Sequence, residues 1–105
     1  MRAFILITSF IAALTNGRDL ASAADTGPKF DIAKECRSEG GSKAVQEKCA
    51  EDEATARDQV QPVWVQSSAA DKANCVKATS ADGSPSYVEL LTCLEMARDV
   101  KKLSK

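Results

Sequence analysis

"SYVELLTCLEMARDVKKL", residues 86–103, decides the fold. Tyr87, Leu90, Leu91, Leu94 and Ala97 recur at steps of three and four, which puts them on one face of an α-helix, with Glu95, Asp99 and Lys102 on the opposite side. Cys93 falls on the flank of that apolar stripe. A thiol at the border of a stripe faces a neighbouring element, so the stretch predicts a helix cross-linked to another helix. Ser84 and Pro85 predict its start, with serine as N-cap and proline in the first helical position, where the missing N–H costs nothing.

Upstream, "SADGSP" (residues 80–85) reads as a turn. Ser68 is an N-cap with Asp71 at the third helical position, which favours the helix dipole and predicts a helix from Ala69 to about Thr79. Ser42 caps the longest helix, whose apolar positions Val45, Cys49, Ala56, Val60 and Val63 return at helical spacing. Pro62 removes a backbone donor near its far end and places that end between Gln61 and Ser67. Gly40 and Gly41 stop a short leading helix within "FDIAKECRSE" (residues 30–39), which Phe30 packs down. No segment alternates as a strand does. The expected fold is all-α, a small bundle of three main helices plus a short leading one over residues 32–105. "ADTGPKFD", residues 24–31, reads as a flexible N-terminal arm.

The chain begins with a signature of export. Arg2 supplies a short basic region, "AFILITSFIAAL" is an apolar run of 12 residues, and "ASA" (residues 21–23) places small side chains where a signal peptidase cuts. A bilayer span needs about 20 apolar residues. Thr15 to Asp19 interrupt this run well before that, so residues 1–23 read as a signal peptide, cleaved after Ala23 or Ala24, and not as a permanent membrane anchor. Removing Arg2, Arg18 and Asp19 from the 14 basic and 15 acidic residues leaves 12 and 14, a net charge of about −2. Such a balance argues against a nucleic-acid binder or a polybasic membrane-surface protein. A domain of this size lies where natural folds add disulfides or a metal, because one small core barely offsets chain entropy.

Cys36, Cys49, Cys75 and Cys93 meet that need. They are separated by 12, 25 and 17 residues. A structural zinc site draws ligands in close pairs such as C-x2-C, and neither that pair nor the C-x-x-C redox motif is present. In an exported chain the spacing predicts two structural disulfides and no metal. Helix geometry ranks the pairings. If each helix turns back on the one before, Cys36 and Cys49 stand about 6 and 11 Å from the Gly40–Gly41 turn, and Cys75 and Cys93 about 9 and 12 Å from the turn at residues 80–85. Cys49 and Cys75 would stand about 27 and 10 Å from the turn near Ser67, a mismatch that a bridge with Cα atoms within about 7 Å does not span. Cys36 is therefore expected to pair with Cys49, and Cys75 with Cys93.

Glu51, Asp52 and Glu53 form the densest charge run. Glu53 shares a face with Cys49, Ala56 and Val60 and precedes Arg57 by four residues, so it reads either as a local ion pair or as part of an acidic strip offered to a basic partner. Trp64, beside Pro62, reads either as a lid on the core or as a wall of a binding groove. Catalysis finds no foothold: the chain has no histidine, its carboxylates show no acid-and-base arrangement, and no serine or threonine has an identifiable activator. No cofactor motif is present.

From Cys49 onward, "CAEDEATARDQVQPVWVQSSAADKANCV" and "GSPSYVELLTCLEMARD" resemble a group of small exported proteins of rhizobia-type alphaproteobacteria. In that group a C, an E-x-x-A-R, a W, an A-A-D-x-x-x-C and the tail "PSYVELLTCLEMARD" recur. The resemblance covers about half the chain, and it implies an exported, cysteine-bearing bacterial protein without assigning a catalytic residue. More distantly the chain is similar to lysozyme-inhibitor LprI-type domains, which carry an A-D-x-x-L-N-x-x-Y run; the corresponding stretch here, Glu53 to Val60, departs from it. That likeness implies inhibition of a lysozyme, for which an acidic helix face would suit a basic enzyme. Taken together, the sequence leads to a non-enzymatic helical module, periplasmic or secreted, that binds an envelope or extracellular protein. A thiol-redox or metal-binding role for the cysteines is the alternative.

Overall fold

The structure, a computed structural model, describes residues 26–103. The expected signal peptide and its cleavage site lie outside the described residues. Four helices and no strands make up the described residues: α1 (Ile32–Glu39), α2 (Lys43–Gln66), α3 (Ala69–Ser80) and α4 (Tyr87–Leu103). The all-α bundle of three main helices and a short leading one is thus the observed fold.

Local chemistry sets most helix ends. The Asp31 carboxylate accepts from the Lys34 amide, Ser42 Oγ from Val45 and Ser68 Oγ from Asp71, so three helices start on a side-chain cap three residues upstream of the bonded amide. Gly41 turns the chain between α1 and α2 at φ 97°, and a Cβ there would lie 2.9 Å from Val45 Cγ1. Backbone conformation and space both require glycine at that position. Pro62 lies inside α2, which continues to Gln66. Pro62 and Asp58 are both on the exposed side. Water can therefore satisfy the Asp58 carbonyl that the proline leaves without a donor.

The core is built where α2 crosses α4. Ala56, Val60 and Trp64, at four-residue steps on α2, meet Tyr87, Leu90 and Leu94 of α4, with Cys75 of α3 closing the cluster. Val45, expected on the same stripe, is exposed, because α2 extends past the core at its N-terminal end and only α1 lies against it there.

Both bridges are those expected from helix geometry. Cys36 pairs with Cys49 and Cys75 with Cys93, at Cα–Cα distances of 5.7 and 5.6 Å. The first fastens α1 to α2 and the second α3 to α4, and each of these pairs of helices is also joined by packing. Among the described residues no cysteine is free.

The arm departs from expectation. Over residues 26–31 it is tied to the bundle, because the Tyr87 hydroxyl accepts from the Phe30 amide at 2.8 Å and donates to the Pro28 carbonyl at 3.4 Å. Phe30 stacks on Tyr87 with ring centroids 4.8 Å apart, and Gly27 lies against the Trp64 indole. A single buried aromatic hydroxyl thus converts a sequence of loop composition into part of the packed structure.

Candidate functional site

The N-terminus of α4 is organised by a residue from another helix. Glu53 projects from α2 with only 4 % of its surface exposed. Its carboxylate accepts from the Tyr87 amide at 2.7 Å, from Ser86 Oγ at 2.6 Å and, more weakly, from the Val88 amide at 3.4 Å. Two of the amides that a helix start leaves without partners are satisfied by this one group, and a negative charge sits at the positive end of the helix dipole. Ser86 adds the local cap by accepting from the Glu89 amide at 3.3 Å, and its own amide donates to Thr79 Oγ1 at 2.9 Å. The expected cap at Ser84 with Pro85 is therefore replaced by Ser86 two residues later. The shift follows from the tertiary acceptors, which hold Ser86 and Tyr87 in place.

Glu53 is accordingly no part of an exposed acidic strip. Glu51 and Asp52 do face solvent, Asp52 taking a 2.7 Å ion pair from Lys48. Arg57, the expected partner of Glu53, lies instead beside Asp58 at 3.5 Å. Trp64 is 8 % exposed and belongs to the core, with Lys72 Nζ 5.2 Å from its ring centroid. It is a covered wall of the bundle and offers no face to a partner.

A second carboxyl group is buried close by. Glu35 of α1 is 5 % exposed. Its carboxyl is pushed up to about 7, first by burial, then by its hydrogen bond to Glu39 and the charge of that residue, with smaller contributions from Glu53 and Glu89. Four carboxyl groups from α1, α2 and α4 thus converge beside the start of α4. Among the described residues no group of histidine, cysteine, aspartate or glutamate side chains is disposed to hold a metal ion.

The outer side of α4 was not anticipated from the sequence. Val88, Met96, Val100 and Leu103 are between 42 % and 85 % exposed. They follow one another at steps of eight, four and three, with exposed Thr92 in the gap, so they form one row on the side turned away from the core. Shallow clefts flank the row: one between Val88, Leu91 and Thr92 and the α2 residues Asp52, Thr55 and Gln59, the other among Val88, Glu89, Cys93 and Met96. Charged groups border it, with Glu95 and Asp99 on the same helix, Asp52 across the α2 cleft, and Glu39 grouped with Val88 and Glu89 at its N-terminal end. A small basic cleft at the far end of the bundle includes Arg98 and Lys101, but Lys101 is held by Asp71 at 2.6 Å and Arg98 lies beside Asp99. The sequence signal for the row was present. Val88, Met96 and Val100 lie on the face that also carries Glu95 and Asp99, and their spacing marks α4 as apolar on two sides.

Comparison of the chain with protein-family models, with curated proteins and with solved structures finds no match.

Proposed function

We propose that the protein is an exported, non-enzymatic helical module of the bacterial envelope, working in the periplasm or outside the cell, and that it binds a protein partner through the outer face of α4. The observation that carries this reading is the exposed row of Val88, Met96, Val100 and Leu103. Apolar side chains scattered singly over a surface need no explanation, but four on one helix face, broken only by Thr92, mark a contact surface. Two disulfides support a compartment outside the reducing cytoplasm. Among the described residues no helix is long and apolar enough to cross a membrane.

The thiol-redox alternative gains no support from the site. Redox-active cysteines sit in accessible, electropositive surroundings. Here Cys36 and Cys75 are buried in bridges that join packed helices. A photoreactive amino acid placed at Met96 in the producing cell tests the binding role directly. The expected result is a discrete adduct with one envelope protein, absent when the probe stands at Lys77 on α3. Failure to form any adduct from Met96, Val88 or Val100 refutes it.

A further inference from the structure

The row on α4 fits one kind of occupant. We infer that it receives a cationic amphipathic helix, laid with its apolar side on Val88, Met96 and Val100 and its lysines or arginines against the bordering carboxylates. This rests on the reading of α4 as the contact surface and adds the chemistry of what lies on it.

Shape supplies the first part. Fifteen helical steps from Val88 to Leu103 span about 22 Å at the usual rise, about four turns of helix. A second helix matches such a row, because its own side chains at i, i+3, i+4 and i+7 interleave with positions at the same spacing. The clefts on either side of Val88 provide the grooves for those side chains.

Charge supplies the second part. Leu91 lines the cleft against α2, and Glu95 and Asp99 follow it at four-residue steps, which places both on the α2 side of the row, where Asp52 stands. Glu89 borders the other side, its carboxylate 3.2 Å from Thr79 of α3, and Glu39 stands at the N-terminal end. Against these five carboxylates stand Lys48, paired with Asp52, Arg98, beside Asp99, and Lys102 at the C-terminal end. The rim therefore carries a net negative charge, strongest over the first two-thirds of the helix. A partner with basic flanks is attracted and an acidic one repelled.

The same charges disfavour a second copy of the chain. Two α4 helices paired antiparallel about Met96 would bring Glu95 and Asp99 of one chain against the same two residues of the other. A parallel pair would set the edge that carries Glu95 and Asp99 in one chain against the edge that carries Glu89 in the other. Either arrangement opposes like charges along the seam. An anionic lipid surface meets the same repulsion.

The test uses the oxidised protein and a fluorescent 18-residue peptide with leucines at steps of three and four and lysines elsewhere. Its companion is the same peptide with glutamate for lysine. Anisotropy should show binding of the lysine peptide only, weakened at least tenfold by Met96→Lys. Glu95→Gln with Asp99→Asn should weaken it several-fold and flatten its dependence on salt. Far-UV circular dichroism of each variant verifies that the bundle is intact. Equal binding of the two peptides, or indifference to Met96→Lys, overturns the inference. So does a dimer in sedimentation equilibrium that Met96→Lys dissolves, or uptake by zwitterionic lipid vesicles that the same variant abolishes. These last two results would leave α4 as a contact surface and replace its occupant. A monomer that binds neither peptide nor vesicle, and forms no adduct from Met96 in the cell, removes the surface itself.

Discussion

Replacing Glu53 by alanine should cost the protein about 3 kcal/mol of stability, a large share of what a domain this small possesses. Two of the three hydrogen bonds its carboxylate accepts are short, from Tyr87 N at 2.7 Å and Ser86 Oγ at 2.6 Å. A buried donor left without a partner costs about 1 to 3 kcal/mol, and loss of the negative charge at the helix start adds up to about 1 kcal/mol. The Val88 bond at 3.4 Å is too long to add much. Relief of the desolvation of a buried carboxylate offsets part of the sum, which brings it to the lower end. For a chain of this length each kcal/mol lowers the melting temperature by about 4 to 8 °C, so Glu53→Ala should melt roughly 12 to 24 °C below the parent. Glu53→Gln keeps an acceptor for Tyr87, and Ser86 can turn its hydroxyl to accept from the amide, so it should lose only about 1 to 2 kcal/mol. Urea unfolding of the oxidised proteins, followed at 222 nm, measures both. A Glu53→Ala variant within about 1 kcal/mol of the parent, or a glutamine variant as damaged as the alanine one, would refute this role of the carboxylate.

Glu35 gives the bundle an unusual response to pH. Its folded-state value of about 7 lies above the ordinary 4.5. Its contribution is therefore fully present below about pH 4.5 and is lost as pH rises to 7, because the folded state holds a proton that the unfolded chain releases. Melting temperature should fall between pH 5 and pH 8, and Glu35→Gln should flatten that dependence and raise stability at pH 8; an unchanged slope in the variant refutes the assignment. Asp71, held below its ordinary range first by its hydrogen bond to Lys101, acts in the opposite sense, losing its contribution as pH falls through its lowered value. The two bridges should differ in kind. Removing Cys75 and Cys93 together should cost about 2 to 4 kcal/mol globally, whereas removing Cys36 and Cys49 should expose the α1 amides to hydrogen exchange while those of Leu90 and Leu94 stay protected. Uniform loss of protection in both double variants would contradict this division. Trp64→Ala should cost about 3 to 5 kcal/mol, as for a large core aromatic, and a loss under 1 kcal/mol would return Trp64 to the surface.

The helices and their cross-links were legible because both follow from short-range rules. Ser42 and Ser68 cap the amides three residues on, the glycine pair turns the chain, and cysteine registry follows from the rise per residue once two helices run antiparallel across a turn. Glu53 left a partial trace. An acid in register with Ala56 and Val60 is out of place on a core-facing stripe, which flags a buried charge. The sequence does not name its partner, 34 residues away at Tyr87. The row on α4 is legible only in part for a related reason: Val88, Met96 and Val100 share their face with Glu95 and Asp99, and the packing of α4 against α2 and α3 decides that this face stays exposed.

The chain by itself determined the number of helices, most of their starts and the pairing of its cysteines, all of which depend on neighbours within a few turns. Tertiary packing alone decided that Glu53 would cap α4, that the Tyr87 hydroxyl would hold the arm through Pro28 and Phe30, and that Glu35 would meet three other carboxyl groups. The physical reason is the range of the forces concerned. Caps and periodicity are settled by backbone geometry along one segment, whereas a buried polar group takes whichever partner the crossing of two helices brings within 3 Å, and no local pattern encodes that crossing.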